Sequence, residues 1–176
     1  MKIVTVCTGN VARSVMLGYM LTTLAKANGY DWQIRTAGTH VIEGSAMSAR
    51  TRDALLALDD VGPFHYSAHR SHQLTSDDVA WADAIMASEA DHVAFVRRNF
   101  PSGTPKTVQF HQFLRAAPLD ATFDEQIQFV ASLPPSGLLD VADPAGGDQA
   151  AYDACAAELW EMAQVFVTIV AHDQDV

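Results

Sequence analysis

The feature that most constrains this chain is a short β-branched run that stops at a thiol. Ile3-Val4-Thr5-Val6 leads into Cys7-Thr8-Gly9-Asn10-Val11-Ala12-Arg13-Ser14, where a helical pattern begins. A brief apolar run bounded by a loop reads as a buried strand. From Ser14 to Asn28 the residues Met16, Met20, Leu21 and Leu24 recur at helical spacing, and Asn28-Gly29 is a stop signal. A strand, a small-residue loop and a helix in that order point backbone N–H groups and a helix N-terminus at one spot. That arrangement suits an anion.

The rest of the chain keeps alternating. Trp32 to Thr36 predicts a second strand, and the gap before it fits a βαβ crossover. Ser48 caps a helix running to Leu58, and Asp59-Asp60-Val61-Gly62-Pro63 ends it. His65 to His72 is a histidine-rich loop. Thr75 with Asp78 marks a helix start. Ala82 to Ala87 and Lys106 to Phe110 predict the third and fourth strands, with a helix over Ser88 to Arg98 between them. Helical spacing returns over Asp120 to Leu133, where Phe123, Ile127 and Phe129 read as packing residues. A long last helix spans Asp148 to Val170, with Tyr152, Cys155, Leu159, Met162, Phe166 and Ile169 on its apolar face. Strands alternating with helices imply an α/β fold with a parallel sheet. With 176 residues and no visible linker or repeat, residues 1–176 read as a single domain.

Composition narrows the function. The formal net charge is -10, from 21 acidic and 11 basic residues, which argues against general nucleic-acid binding. An anionic substrate must therefore be drawn in by local design against the global field. Residues 1–6 are too short for a secretory signal, and no apolar run approaches the roughly 18 residues of a membrane span. The two cysteines, Cys7 and Cys155, give no disulfide framework. The expected setting is a reducing cytoplasm.

Cys7 as a small buried hydrophobe is the plain alternative to chemistry. Its place favours chemistry: open α/β sheets bind ligands beyond the C-terminal ends of their strands. Gly9 lets the backbone pass close to a ligand, and Asn10 tolerates left-handed geometry. The N–H groups from Thr8 to Ser14 can wrap a tetrahedral anion. A thiolate can attack phosphorus and form a covalent phosphocysteine. Ser14 can donate to that sulfur, and the planar fork of Arg13 can grip two phosphate oxygens at once. One carboxyl group can protonate the leaving atom and later activate water. Asp143, held extended by Pro144, is a candidate, and Asp140 competes with it. No metal or organic cofactor is called for.

Cys7 to Ser14 resembles the signature loop of the low-molecular-weight protein tyrosine phosphatases, and the resemblance extends along the chain. Thr36-Ala37-Gly38-Thr39 is similar to the family's Ser-Ala-Gly-Thr. Ala68-His69-Arg70-Ser71-His72-Gln73-Leu74 is similar to its Ser-His-x-Ala-Arg-Gln segment. Ala82-Asp83-Ala84-Ile85-Met86 resembles its Asp-x-Ile-x-x-Met strand, and Asp143-Pro144 its general-acid loop. The resemblance implies a three-layer fold with a central four-stranded parallel sheet, and metal-free two-step hydrolysis of phosphomonoesters. It implies Cys7 as nucleophile, Arg13 and residues 8–14 as the phosphate site, and Asp143 as acid and then base. Ser14 would support the thiolate, and Asn10 would hold the loop through Ser14, Thr36 and His69. Substrates would be phosphorylated proteins or small aryl phosphates.

The departures bear on substrate and redox behaviour. Ala12 stands where the family often has a second cysteine, so Cys7 lacks that disulfide partner. Val15 replaces the proline after Arg-Ser. Ala145-Gly146 replaces two tyrosines that help wall the aryl pocket, and only His40 and Val41 stand near the position of a further aromatic residue. Residues 116–137 exceed the family's pattern and read as a candidate local insertion. Two alternatives stay open: an arsenate reductase using Cys7 with an external thiol, and a non-catalytic anion-binding module. Oligomeric state is left undetermined.

Overall fold

A computed structural model describes residues 1–171. Its centre is a parallel sheet of four strands: β1 (Lys2–Cys7), β2 (Gln33–Gly38), β3 (Ala84–Ala87) and β4 (Thr107–Gln109), in the order β2-β1-β3-β4. The seven α-helices among the described residues are α1 (Arg13–Ala27), α2 (Ala49–Leu56), α3 (Ser76–Trp81), α4 (Ala90–Asn99), α5 (Phe110–Ala116), α6 (Phe123–Ser132) and α7 (Gln149–Val170). None of them is long and apolar enough to cross a membrane.

Strand alternation sorts the core onto two faces. Ile3, Ala84, Met86 and Val108 join the helices α1, α2, α5, α6 and α7 on one face. Val4, Val6 and Ile85 meet α3 and α4 on the other, through Val79 and Val96. This is the expected three-layer α/β architecture. The chain passes from β1 to β2 on one side and then from β2 back across β1 to β3 on the other, so the crevice beyond Cys7 is the switch point of the sheet, where such folds bind ligands.

Local signals set the ends of the elements. Ser48 accepts from the Thr51 N–H, and Thr75 with Asp78 closes a full capping box. Thr122 and Glu125 close a second box at the start of α6, and Asp148 caps α7. Two expectations need correcting. Phe110 does not end β4 but opens α5, whose buried Phe110 and Phe113 sit one helical turn apart with no loop to announce the change. Phe129 is not a packing residue: it is 49 % exposed on the outer side of α6, while Phe123 and Ile127 are buried. Phe123 instead meets Phe113 and Phe166 in an aromatic cluster.

The end of β2 is fitted against the loop that follows β1. Gly38 pairs with Cys7 in register, its N–H donates to the His72 carbonyl, and its carbonyl accepts from the Leu74 N–H. A Cβ at Gly38 would lie 2.5 Å from the Thr8 carbonyl oxygen and 2.4 Å from Val41 Cγ2. Close backbone approach, rather than turn geometry, requires glycine there. Behind this joint, His72 Nε2 lies 2.8 Å from Asp78 Oδ2, and His72 Nδ1 lies 3.3 Å from Glu43 Oε1. Burial pulls the His72 pKa down, but the hydrogen bonds and charges of Asp78 and Glu43 outweigh it, and the net shift is upward. Burial raises the Asp78 pKa, while Thr75 and His72 together lower it further than burial lifts it.

Two outcomes follow from these joints. Gly38→Ala is expected to cost about 1–3 kcal/mol through overpacking against backbone; an unchanged denaturation midpoint would contradict the fit. The His72–Asp78 pair stabilises the fold while His72 is charged and Asp78 ionised. Its contribution is lost as pH rises through the raised His72 pKa, and again as pH falls through the lowered Asp78 pKa. Stability followed against pH should lose the acid slope in Asp78→Asn and keep only a smaller alkaline slope, the part that Glu43 supplies to His72.

Candidate active site

The loop from Cys7 to Ser14 folds back on itself because Asn10 takes a left-handed backbone, with φ 53°. Asparagine is one of the few residues that adopt this conformation at modest cost. Every polar group of its side chain is then used. Nδ2 donates to Ser14 Oγ and to Thr36 Oγ1, each at 2.9 Å. Oδ1 accepts from the His72 backbone N–H at 3.0 Å. The Asn10 carbonyl accepts from His69 Nε2 at 2.8 Å. Burial keeps the His69 pKa low, the Asn10 carbonyl partly restores it, and the Arg70 charge lowers it again. His69 is therefore neutral near pH 7 and carries its proton on Nε2.

Cys7 is buried at the C-terminal end of β1, and its Sγ lies 3.0 Å from Ser14 Oγ. Ser14 Oγ already accepts from Asn10, which leaves the Ser14 hydroxyl hydrogen to point at the sulfur. Thr5 Oγ1 donates to the Ser14 carbonyl at 2.7 Å and pins the first turn of α1 to the strand. No side chain caps α1, and no acidic residue stands in its first turn. Its positive end is left to the loop.

Arg13 is 1 % exposed, so its charge must be matched inside the protein. Nη1 donates to Glu89 Oε1 and, at 2.9 Å, to the Val141 carbonyl. Nη2 donates to Asp143 Oδ2 at 2.7 Å. A guanidinium has five N–H groups, so among the described residues three are taken and two remain for a ligand. Asp143 Oδ1 also accepts from the Ala145 N–H at 3.1 Å, which fixes its turn ahead of α7. Asp140 is bound elsewhere. Its Oδ1 accepts from the Ala90 N–H and from Gln109 Nε2, each at 2.7 Å, so it ties the start of α4 to the end of β4.

The structure thus brings Cys7, Asn10, Arg13, Ser14, Thr36, His69 and Asp143 together around the loop containing Thr8, Gly9, Val11 and Ala12. His40 lies beside it, its N–H on the Thr8 carbonyl and its ring 5.3 Å from that of Phe95. Sequence reasoning missed Glu89, His92 and the His72 backbone. An acid after a strand and a histidine within a helix carry no pattern of their own, and both reach the loop only through the packing of α4. Cys155 is buried in the core, and burial pushes its thiol up to about 12. Among the described residues no cluster of histidine, cysteine, aspartate and glutamate is arranged to hold a metal ion.

Comparison with known proteins agrees with this geometry. Residues 2–124 match the family model described as low molecular weight phosphotyrosine protein phosphatase. The chain is 29 % identical over 158 residues to a protein-arginine-phosphatase of Geobacillus stearothermophilus, covering 90 % of this chain and 88 % of that protein. The solved YwlE arginine phosphatase of the same organism superposes with a TM-score of 0.77 at 26 % identity, over 98 % of this chain and 94 % of the other. A low molecular weight protein tyrosine phosphatase from T. tengcongensis gives a TM-score of 0.77 at 25 % identity, over 96 % and 98 % of the two chains. A thiol at the end of the first strand, an arginine closing its loop and a family match over most of the sequence lead to one conclusion: this chain belongs to the low molecular weight phosphotyrosine protein phosphatases and is a cysteine-dependent phosphatase.

Proposed function

We propose that the chain hydrolyses phosphorylated side chains of proteins through Cys7, with Arg13 and the N–H groups of residues 8–14 holding the phosphate and Asp143 moving the proton. The observation that carries this reading is the placement of the Asp143 carboxylate 2.7 Å from the guanidinium that closes the Cys7 loop. A phosphate drawn into the loop takes over the two N–H groups of Arg13 that the protein leaves unused. Its charge also weakens the hold of Arg13 on Asp143. The freed carboxylate takes up a proton from solvent, turns to the leaving atom and protonates it while the Cys7 thiolate attacks phosphorus from the opposite side. The P–O bond breaks as the S–P bond forms. Asp143, now a carboxylate, then takes a proton from water, which attacks phosphorus and releases phosphate and the Cys7 thiolate. Arsenate reduction by an internal relay finds no support, since Cys155 is buried and its thiol is held protonated.

Two features bear on the phosphorylated side chain. Ala145 and Gly146 follow the acid and offer no aromatic wall, so a phenyl ring loses contacts worth about 0.5–1.5 kcal/mol each. The Glu89 and Asp143 carboxylates at the Arg13 fork are acceptors that suit a guanidino leaving group, and a relative carries the name protein-arginine-phosphatase. Phosphoarginine is therefore the second reading beside phosphotyrosine.

On para-nitrophenyl phosphate, Cys7→Ser is expected to abolish turnover with the fold retained; full activity would overturn the nucleophile. Asp143→Ala should lower kcat by roughly 10²–10⁴-fold, and an unchanged kcat would remove Asp143 from the mechanism. In a comparison of peptides, the arginine reading expects kcat/KM for phosphoarginine to exceed that for phosphotyrosine by about tenfold, since one added polar contact in the transition state is worth about that much. The reverse order would assign the site to aryl phosphates.

A further inference from the structure

One buried ring touches the start of the phosphate loop and reaches its end through a carboxylate. His92, in α4, is 3 % exposed. Its Nε2 lies 2.9 Å from Thr8 Oγ1, on the first residue after the cysteine. The same nitrogen lies 3.5 Å from Glu89 Oε2, and Glu89 Oε1 accepts from Arg13, which closes the loop. His92 Nδ1 is buried with no hydrogen-bond partner. With its proton on Nε2 the ring donates to Thr8 Oγ1 and turns the positive end of its N–H dipole toward the Glu89 carboxylate, a charge–dipole contact at 3.5 Å rather than a hydrogen bond. Thr8 then keeps its own hydroxyl hydrogen for a partner other than His92.

We propose that His92 and Glu89 form a positioning pair for the phosphate site, in which neutral His92 fixes Thr8 directly and fixes Arg13 through the Glu89 carboxylate. This rests on the reading of residues 7–14 as the phosphate loop. Glu89 stands just past the end of β3 and His92 in the first turn of α4, so a rigid strand and helix transmit their placement to both ends of a loop that has no regular structure. A buried polar group with an unsatisfied nitrogen is costly to keep unless its other contact is needed.

The charge state of the ring matters to the pair. Burial and then the Arg13 charge push the His92 pKa down to about 4, against the opposing pull of Asp140, Asp143 and Asp91. The ring is thus neutral across the physiological range. A cationic His92 would compete with Arg13 for Glu89.

The test uses inorganic phosphate as probe, with its affinity measured directly by calorimetry on the full chain, so that binding is read without turnover. A general anionic role for Glu89 makes a distinct prediction: Glu89→Gln removes a negative charge beside the site and should tighten phosphate. Positioning predicts the opposite, a loss of about tenfold, because a guanidinium displaced by a fraction of an ångström grips poorly. His92→Leu should weaken phosphate and raise KM for para-nitrophenyl phosphate by a similar factor while kcat changes less. His92→Gln, which can keep an N–H donor near Thr8 and Glu89, should restore most of the loss. The double variant of Glu89→Gln and His92→Leu should be no weaker than the worse single one, since the two act as a unit. Tighter phosphate in Glu89→Gln would overturn the proposal. So would wild-type affinity in His92→Leu, or fully additive losses. If His92→Leu fails to fold, His92→Gln and Glu89→Gln decide: wild-type affinity in the first and loss in the second support the pair. A phosphate affinity that responds as stated in a chain without hydrolytic activity would uphold the pair and refute the catalytic reading alone.

Discussion

The structure turns on a buried positive charge. Arg13 lies almost wholly out of water, and removing an unpaired charge from water costs several kcal/mol. That cost is offset only because three groups from two distant parts of the chain converge on the guanidinium: Glu89 from just past the end of β3, and the Val141 carbonyl and Asp143 from the segment before α7. These groups lie 76 to 130 residues from Arg13 in sequence. The parallel sheet places the carboxyl ends of β1 and β3 side by side, and α7 returns the chain across α1. The ion pairs also hold Asp143, the proposed acid, at the Cys7 loop. The requirement to neutralise Arg13 and the requirement to assemble a phosphatase site are met by one set of contacts.

Asn10 does the corresponding work on the other side. Its left-handed backbone would open the loop if its side chain did not reach Ser14, Thr36 and the His72 N–H at once. Through those bonds the loop is tied to β2 and to residues 69–74, and Gly38 permits the close approach. The chain as a whole carries a strong negative charge, so the attraction for phosphate has to be local. Arg13, the uncapped start of α1 and the N–H groups of the loop are the groups proposed to supply it.

Most of this was legible in the sequence because it lies in short-range pattern. Cys7 to Ser14 carries its own signature, the strands show as brief apolar runs, and Ser48, Thr75 and Asp148 mark helix starts. Asp143 is the intermediate case: Asp-Pro in an irregular stretch is ordinary, and only its order along the chain relative to the other motifs marked it out. Glu89 and His92 were not legible. Their meaning comes from the direction in which α4 leaves β3, and one-dimensional spacing does not encode that. The helix from Phe110 was missed because β4 passes into α5 without a breaker residue, and Phe129 was misread because an apolar residue at helical spacing can still face water.

The central claim is that phosphate passes through Cys7, and rapid acid quenching of the Asp143→Asn protein mixed with para-nitrophenyl phosphate tests it most directly. Para-nitrophenolate leaves without help from an acid while the second step lacks its base, so the account predicts a phosphate adduct that builds up within the first turnover, and mass spectrometry of the digested chain should place it on the peptide bearing Cys7. Turnover with no adduct, or an adduct on any other residue, would contradict it.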